Sequence, residues 1–167
     1  QWFAMDNSKY WSDQCRTDIT EIGLSDHVTI DCCSFPAYWE YPGSSPGAPV
    51  VPDSAKNSDE VAEYVGKPVE LGGRFDVIFV DGRYRRRCLL SAREALSPNG
   101  VVILHDAERE HYWAGTAGFS NADLMLTGKA PGTATKTAVV FCTNESNVLI
   151  QQLKKKHSSV WTTLPQS

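Results

Sequence analysis

The stretches RFDVIFVDGR at residues 74–83 and GVVILHD at residues 100–106 decide the fold. Each contains an uninterrupted apolar run, which is typical of a parallel strand that is buried on both faces. The residues between them carry apolar side chains at helical spacing, so the whole segment predicts a strand, a helix and a second strand. Each run ends in an acid, at Asp81 and at Asp106. Because open α/β sheets bind ligands at the carboxyl ends of their strands, both acids are candidates for a functional site.

Length and composition predict one globular domain over residues 1–167, since 167 residues with 41% hydrophobic content can bury one core. A net charge of −4 argues against a nucleic-acid partner, whose binding surface would be basic. No apolar run approaches the roughly 20 residues that cross a bilayer, so we expect no membrane partner. The five cysteines show no metal-binding or disulfide spacing, which indicates reduced thiols and a cytoplasmic location.

The N-terminal region predicts a short strand over residues 2–5 that ends at Asp6, and then a helix. Asn7 or Ser8 can cap that helix. Apolar side chains recur along it at spacings of three and four, which predicts one buried face. The residues of this face are Trp11, Cys15, Ile19 and Ile22.

A second strand over residues 28–30 runs into Asp31 and Cys32. Residues 35–57 are rich in proline and glycine and predict a loop insertion. A short helix follows at residues 59–65. Near the C-terminus, the pattern predicts an antiparallel strand pair, with residues 136–142 as its second strand, and a last helix over residues 148–156. The alternation of strands and helices favours a doubly wound α/β fold with a mostly parallel sheet.

With these motifs in place, the chain resembles the class I S-adenosylmethionine-dependent methyltransferases from residue 2 to about residue 142. Residues 3–11 are similar to the second strand of that family, residues 75–83 to its fourth, and residues 97–106 to its turn and fifth strand. Residues 128–141 would match the antiparallel sixth and seventh strands. The resemblance implies a Rossmann-like fold and methyl transfer to an oxygen or nitrogen of a small molecule.

The chain departs from the family at its N-terminal side. The family's first strand and glycine-rich loop have no counterpart before Trp2, so we expect an incomplete sheet that an upstream segment or a partner chain completes. Asn99 stands where the family usually has glycine, and asparagine tolerates the left-handed conformation that such a turn needs. A non-catalytic binding or assembly domain that has lost the cofactor loop is therefore the alternative function.

The resemblance implies a cofactor site for S-adenosylmethionine. Asp6 matches the acid that accepts hydrogen bonds from the ribose hydroxyls of the cofactor. Asp31 and Cys32 lie where the family contacts adenine, and Asp81 completes the expected cofactor-binding set. An ordinary role at a strand end is the competing interpretation of Asp6.

The candidate catalytic residues are Asp81, His105 and Asp106, any of which could remove a proton from the acceptor, and we expect the chemistry to depend on the two acids more than on any histidine. Related metal-dependent enzymes hold a divalent cation between acids at these two strand ends and an asparagine that follows the second. Here Ala107 replaces that asparagine, and Glu108 is the remaining substitute. A metal is thus possible, but we favour a site without one.

The candidate substrate-binding residues are Arg83, His111 and Tyr112. Arg83 lies nearest the sheet edge and could bind a carboxylate or phosphate through two hydrogen bonds. His111 and Tyr112 belong to a segment expected to overhang the site. For Arg85 and Arg86, we expect a solvent-exposed helix face.

Overall fold

The computed structural model describes residues 1–33, 59–129 and 136–164, and has an α/β composition. The chain divides into two compact units, Gln1–Lys67 and Pro68–Ser167. The predicted loop insertion at residues 35–57 lies outside the described residues. The prediction of a single domain over residues 1–167 stays a prediction.

The first unit is built around a pair of parallel strands. β1 (Trp2–Asp6) pairs with β2 (Val28–Cys32), and α1 (Lys9–Glu21) connects them. Ser8 caps α1 as predicted, because its hydroxyl accepts a hydrogen bond from the backbone N–H of Trp11 at 3.4 Å. Asp6 pairs with Cys32 in the ladder, so the two strands end side by side.

The predicted buried face of α1 is wrong. Trp11 is 58% exposed, Ile22 is 64% exposed and Cys15 is exposed, whereas Ser12 is buried. The physical reason is the narrow surface available within the described part of this unit. A two-stranded sheet covers only a small part of the surface of a helix.

A second helix, α2 (Asp59–Glu70), begins in the first unit and ends in the second. It is longer than the predicted helix over residues 59–65, because it continues through Pro68. Gly72, with a φ of 65°, follows its end.

The second unit contains the larger sheet. Its elements are β3 (Phe75–Val80), α3 (Arg85–Ala95), β4 (Leu96–Leu104), a 3-10 helix (Glu110–Thr116), β5 (Asn121–Lys129), β6 (Lys136–Thr143), α4 (Val148–Lys156), a 3-10 turn (Ser158–Val160) and β7 (Trp161–Thr163). The strand order is β3-β4-β6-β5-β7. Only β3 and β4 are parallel in this sheet, and its other three pairs are antiparallel.

The expected mostly parallel sheet is therefore corrected to a mixed one among the described strands. The predicted antiparallel pair is confirmed as β5 and β6, and the predicted last helix as α4. The strand β7 was not predicted, because three residues are too few to show a periodic pattern. The expectation that another segment completes the sheet stays a prediction.

The core of the second unit lies between its sheet and α3. Leu89, Val102, Leu104 and Val140 are fully buried there. Burial of apolar area at about 25 cal/mol per Å² is the main force that holds β3, β4 and α3 together. These elements therefore present the loops that follow β3 and β4 from a rigid base.

The expectation that both strands are buried on both faces is wrong for β3. In β3, Val77 is 46% exposed and Phe79 is 57% exposed. The physical reason is that β3 lies at the edge of the described sheet.

The first residues of β4 form an irregular bulge and not the predicted turn. Phe75 pairs with Leu96 and Val77 with Val101, so four residues of β4 oppose a single residue of β3. The carbonyl of Asn99 accepts a hydrogen bond from Asn147 at 2.7 Å. Asn99 is not left-handed, so that expectation is also wrong.

No helix in the described ranges has both the length and the apolar character needed to cross a membrane. The five cysteines are free thiols. Burial raises the pKa of Cys33, which Glu63 raises further, and burial also raises the pKa of Cys142. Both therefore stay protonated and pack as small apolar side chains.

Candidate active site

The parallel pairing of β3 and β4 brings the predicted catalytic residues together. Val80 pairs with Leu104, and the N–H of His105 donates to the carbonyl of Val80 at 3.1 Å. Asp81 and His105 are thus the first residues beyond the two strands, at the carboxyl ends where α/β sheets bind ligands. The sequence placed these residues at one edge, and the structure confirms it.

The side chains of Asp81, His105 and Asp106 form one cluster. Nδ1 of His105 lies 3.0 Å from Oδ1 of Asp81 and 3.3 Å from Oδ1 of Asp106. The imidazole is partly exposed, so a ligand can reach it. A histidine between two carboxylates can accept a proton, because the carboxylates stabilise the positive charge that results.

The guanidinium of Arg85 contacts both carboxylates. The expectation that Arg85 lies on a solvent-exposed helix face is therefore wrong. Its side chain is only 8% exposed. Nη2 donates to Oδ1 of Asp81 and Nη1 to Oδ2 of Asp106, each at 3.1 Å. A buried guanidinium needs carboxylate partners, and Arg85 is the cation that both carboxylates contact.

Arg85 was missed because a row of arginines at a helix start resembles a solvated face. The signal that could have found it is spacing. Arg85 follows Asp81 by four residues, and Asp81 directly follows the apolar run of residues 77–80. A buried arginine needs a carboxylate partner, and Asp81 is the nearest acid along the chain.

Two strained backbone positions adjoin the cluster. Tyr84 has a φ of 51° and Asp106 a φ of 52°, and they are the non-glycine residues with positive φ in the described ranges. A left-handed non-glycine residue costs of order 1–3 kcal/mol and persists where its surroundings hold it. Tyr84 turns the chain so that α3 begins at Arg85, and Asp106 turns its carboxylate toward His105.

The segment after β4 adds a tyrosine and a second arginine to the surroundings of the cluster. Tyr112 is buried, with the Arg85 guanidinium 5.0 Å from its ring centroid, so it packs against Arg85 and does not overhang the site as expected. Arg109 lies 3.4 Å from Oδ2 of Asp106. Burial lowers the pKa of Arg109, but the Tyr112 hydroxyl and Asp106 outweigh it and raise the pKa above its usual value. Arg109 is therefore a permanent cation.

The remaining candidate substrate residues lie near the cluster in sequence. His111 contacts the ring of Tyr112 at 4.2 Å between centroids. Burial lowers the pKa of His111, and the charges of Arg109, Arg86 and Arg85 lower it further. His111 is thus neutral near pH 7. Arg83 is partly exposed at the start of the turn before α3, and its role in substrate binding stays a prediction.

A divalent cation fits this cluster poorly. Asp81, His105 and Asp106 each offer a ligand atom, and these atoms lie within 4.8 Å of one another. However, Arg85 contacts both carboxylates and Arg109 contacts Asp106, so the two arginines together balance the two negative charges, and a cation would have to approach these fixed positive charges. Glu108 is also engaged, because it accepts a hydrogen bond from the backbone of Ala138 at 3.2 Å.

The candidate cofactor residues of the first unit end its two strands. Oδ1 of Asp6 accepts the N–H of Ser8 at 2.7 Å, which orients the carboxylate. Oδ1 of Asp31 accepts the N–H of Cys32 at 3.1 Å, and Oδ2 lies 3.7 Å from Nζ of Lys67. These oxygens are acceptors of the kind that ribose hydroxyls need, so the residues fit the nucleoside part of S-adenosylmethionine. The cofactor role of Asp6, Asp31, Cys32 and Asp81 stays a prediction.

Comparison with solved structures places the fold in a methyltransferase-like class. The chain is similar to a methyltransferase-like protein from Silicibacter pomeroyi DSS-3, with a TM-score of 0.54 and 16% sequence identity. The match covers 91% of this chain and 74% of that protein. At this identity the likeness establishes the fold alone. No protein-family model matches the sequence, and a search of curated proteins finds no relative.

Proposed function

We propose that this protein transfers a methyl group from S-adenosylmethionine to an oxygen or nitrogen of a small-molecule acceptor, on a Rossmann-like scaffold. The observation that carries the proposal is the cluster of His105 with Asp81 and Asp106 at the carboxyl ends of β3 and β4. The methyltransferase-like fold supports it.

In this proposal His105 removes the proton from the acceptor. The two carboxylates then stabilise the imidazolium, so the proton stays on the histidine while the acceptor becomes a better nucleophile. The bound cofactor supplies an electrophilic methyl group. Arg83 and His111 are the proposed substrate-binding residues, because they flank the cluster in sequence and carry donor groups.

The proposed cofactor contacts are tested by calorimetry with S-adenosylmethionine and its demethylated product. We expect binding, and we expect Asp6→Ala to weaken it by about 1–3 kcal/mol, because a carboxylate that accepts hydrogen bonds is lost. Asp18→Asn is the matched control, since Asp18 is an exposed acid on α1 in the same unit. Absence of binding by the unchanged protein would overturn the proposal.

The proposed base is tested by methyl transfer from radiolabelled S-adenosylmethionine to a panel of small phenols, alcohols and amines. We expect His105→Gln to lower kcat by roughly 10²–10⁴, the contribution of a positioned base. Its affinity for the cofactor should not change. His27→Gln is the control, because His27 is an exposed histidine of the first unit. Full turnover by His105→Gln would remove this residue from the mechanism.

A second function, a non-catalytic binding or assembly domain, is favoured by one observation. Arg85 ties Asp81 and Asp106 into a closed ion-pair network that also bonds three backbone carbonyls, as a purely structural unit would. In that case the protein binds no S-adenosylmethionine, and changes at Asp81 alter stability alone. The calorimetric experiment separates the two functions.

A further inference from the structure

We infer that Arg85 is a positioning residue, which holds the carboxylates of Asp81 and Asp106 so that neutral His105 carries its proton on Nδ1 and presents an unprotonated Nε2 to the acceptor. The inference rests on the proposed function for its catalytic consequence. The tautomer itself can be measured without turnover.

The first step of the argument is the complete use of the Arg85 guanidinium. Nε donates to the carbonyl of Gly82 at 3.0 Å, Nη1 to that of His105 at 2.7 Å and Nη2 to that of Asp81 at 2.7 Å. The two Nη atoms also reach the carboxylates described above. Arg85 therefore fixes both the backbone and the side chain of Asp81, and the backbone that carries the imidazole.

The second step is the direction of each carboxylate. Arg85 binds Oδ2 of Asp106, which leaves Oδ1 for His105. At Asp81, one oxygen, Oδ1, accepts from both Arg85 and His105. The guanidinium thus sets which oxygens face Nδ1. A lysine at this position has no planar fork and could not reproduce this set of contacts.

The third step is the proton on the imidazole. An ionised carboxylate only accepts hydrogen bonds, so Nδ1 must donate when it lies at 3.0 and 3.3 Å from two carboxylate oxygens. The neutral ring then has its lone pair on Nε2. In the opposite tautomer, the Nδ1 lone pair would face two anionic oxygens, which is repulsive. Only the first tautomer leaves Nε2 able to accept a proton from a substrate.

The fourth step is the effect that removal of the Arg85 guanidinium would have on the two carboxylates. The two carboxylates would then lose the cation that they share. Both lie within 3.3 Å of Nδ1 of His105, so their negative charges are close enough to repel each other. One carboxylate would rotate away or take up a proton. In either case the constraint on Nδ1 weakens and both tautomers become populated.

The test is ¹H–¹⁵N correlation spectroscopy of the His105 ring at a pH where it is neutral. We expect a protonated Nδ1 and an unprotonated Nε2 in the wild-type protein, and a mixture in Arg85→Lys. For methyl transfer, we expect Arg85→Lys to lower kcat by roughly tenfold to a hundredfold, a part of the roughly 10²–10⁴ that a positioned base contributes.

Arg74→Lys is the matched control. Arg74 also donates to backbone carbonyls, those of Glu94 at 2.6 Å and Leu96 at 3.3 Å, but at the opposite end of β3 and β4. We expect its His105 spectrum to match the wild type. A wild-type ring protonated on Nε2, or an unchanged tautomer in Arg85→Lys, would overturn the inference.

A second measurement does not depend on the folding of any variant. The Arg85 Nε–H of the wild-type protein should exchange slowly with solvent, because it is buried and donates to the carbonyl of Gly82. Rapid exchange would also overturn the inference. A fixed tautomer without methyl transfer would instead reject the proposed function alone.

Discussion

Single residues set the chemistry of the candidate site through charge compensation. Asp81 and Asp106 are balanced by the cations Arg85 and Arg109, so the formal charge of the cluster is zero when His105 is neutral. A neutral cluster is easier to keep partly buried than a bare pair of carboxylates. When His105 accepts one proton from a substrate, the cluster carries a single positive charge, which lies next to the carboxylates of Asp81 and Asp106.

A single residue, His111, should make the unfolding free energy of the protein depend on pH. Its pKa is lowered in the folded state, first by burial and then by the charges of Arg109, Arg86 and Arg85. Between the folded value and the unfolded value of about 6.5, the unfolded chain binds more protons. The stabilising contribution is therefore fully present above the unfolded pKa and is lost as pH falls through the folded pKa.

Urea melts of wild-type protein and His111→Gln at several pH values between 7.5 and 5 would check this. We expect the unfolding free energy of the wild type to fall more steeply with decreasing pH than that of the variant. His157→Gln is the control, because His157 is an exposed histidine. Parallel curves for wild type and His111→Gln would contradict the prediction.

Among the secondary-structure elements, β4 begins with an irregular segment that requires a glycine at position 100. A Cβ on Gly100 would lie 2.7 Å from Cδ1 of Leu96 and 2.8 Å from the carbonyl oxygen of Phe75. Real Cβ atoms do not approach a backbone atom so closely, so Gly100→Ala must displace β3 or β4. We expect a loss of about 1–3 kcal/mol in unfolding free energy, typical of overpacking.

Gly66→Ala is the matched control for that change. Gly66 lies in α2, and its Cβ would meet nothing within 4 Å among the described atoms. Alanine is a better helix former than glycine by up to about 1 kcal/mol, so this variant should be neutral or more stable. Denaturant melts of both variants measure the difference. Equal stabilities would show that β4 relaxes around the added methyl group.

The sequence predicted strands and helices best where a continuous apolar run or a complete helical period was present. It identified β3, the end of β4, α4 and the acids at the strand ends. It predicted the helix α1 and its cap but not the exposure of its apolar side chains, because an apolar stripe reports the capacity to be buried and not the presence of a covering surface. It also failed at Arg85, because the partners that bury a charge lie on loops that become adjacent only after the strands pair.

At the scale of the whole molecule, the buried apolar core is unevenly distributed between the two units. The described core cluster extends from Val80 to Leu164, and so belongs to the second unit. In the described part of the first unit, the buried apolar side chains are Cys33, Val61 and Tyr64, whereas exposed large apolar side chains occur in both units.

This asymmetry predicts unequal local stability. Protection against amide hydrogen exchange follows buried contacts and ladder hydrogen bonds, so β4 and β6, which lie inside the five-stranded sheet, should exchange slowest. The two-stranded β1–β2 pair and α1 should exchange faster. Hydrogen exchange of the intact chain, followed by mass spectrometry of its peptides, measures this order.

Addition of S-adenosylmethionine extends the same experiment. A ligand that binds the folded form stabilises it by mass action, so residues that contact the cofactor should gain protection. If Asp6 and Cys32 bind it, the ends of β1 and β2 should gain more than the middle of α1. The same addition to Asp6→Ala, at a concentration that half-saturates the wild type, should give a smaller gain. Protection that is equal in the two units without ligand would show that the first unit is held by more than its described core, and the predicted order would be wrong.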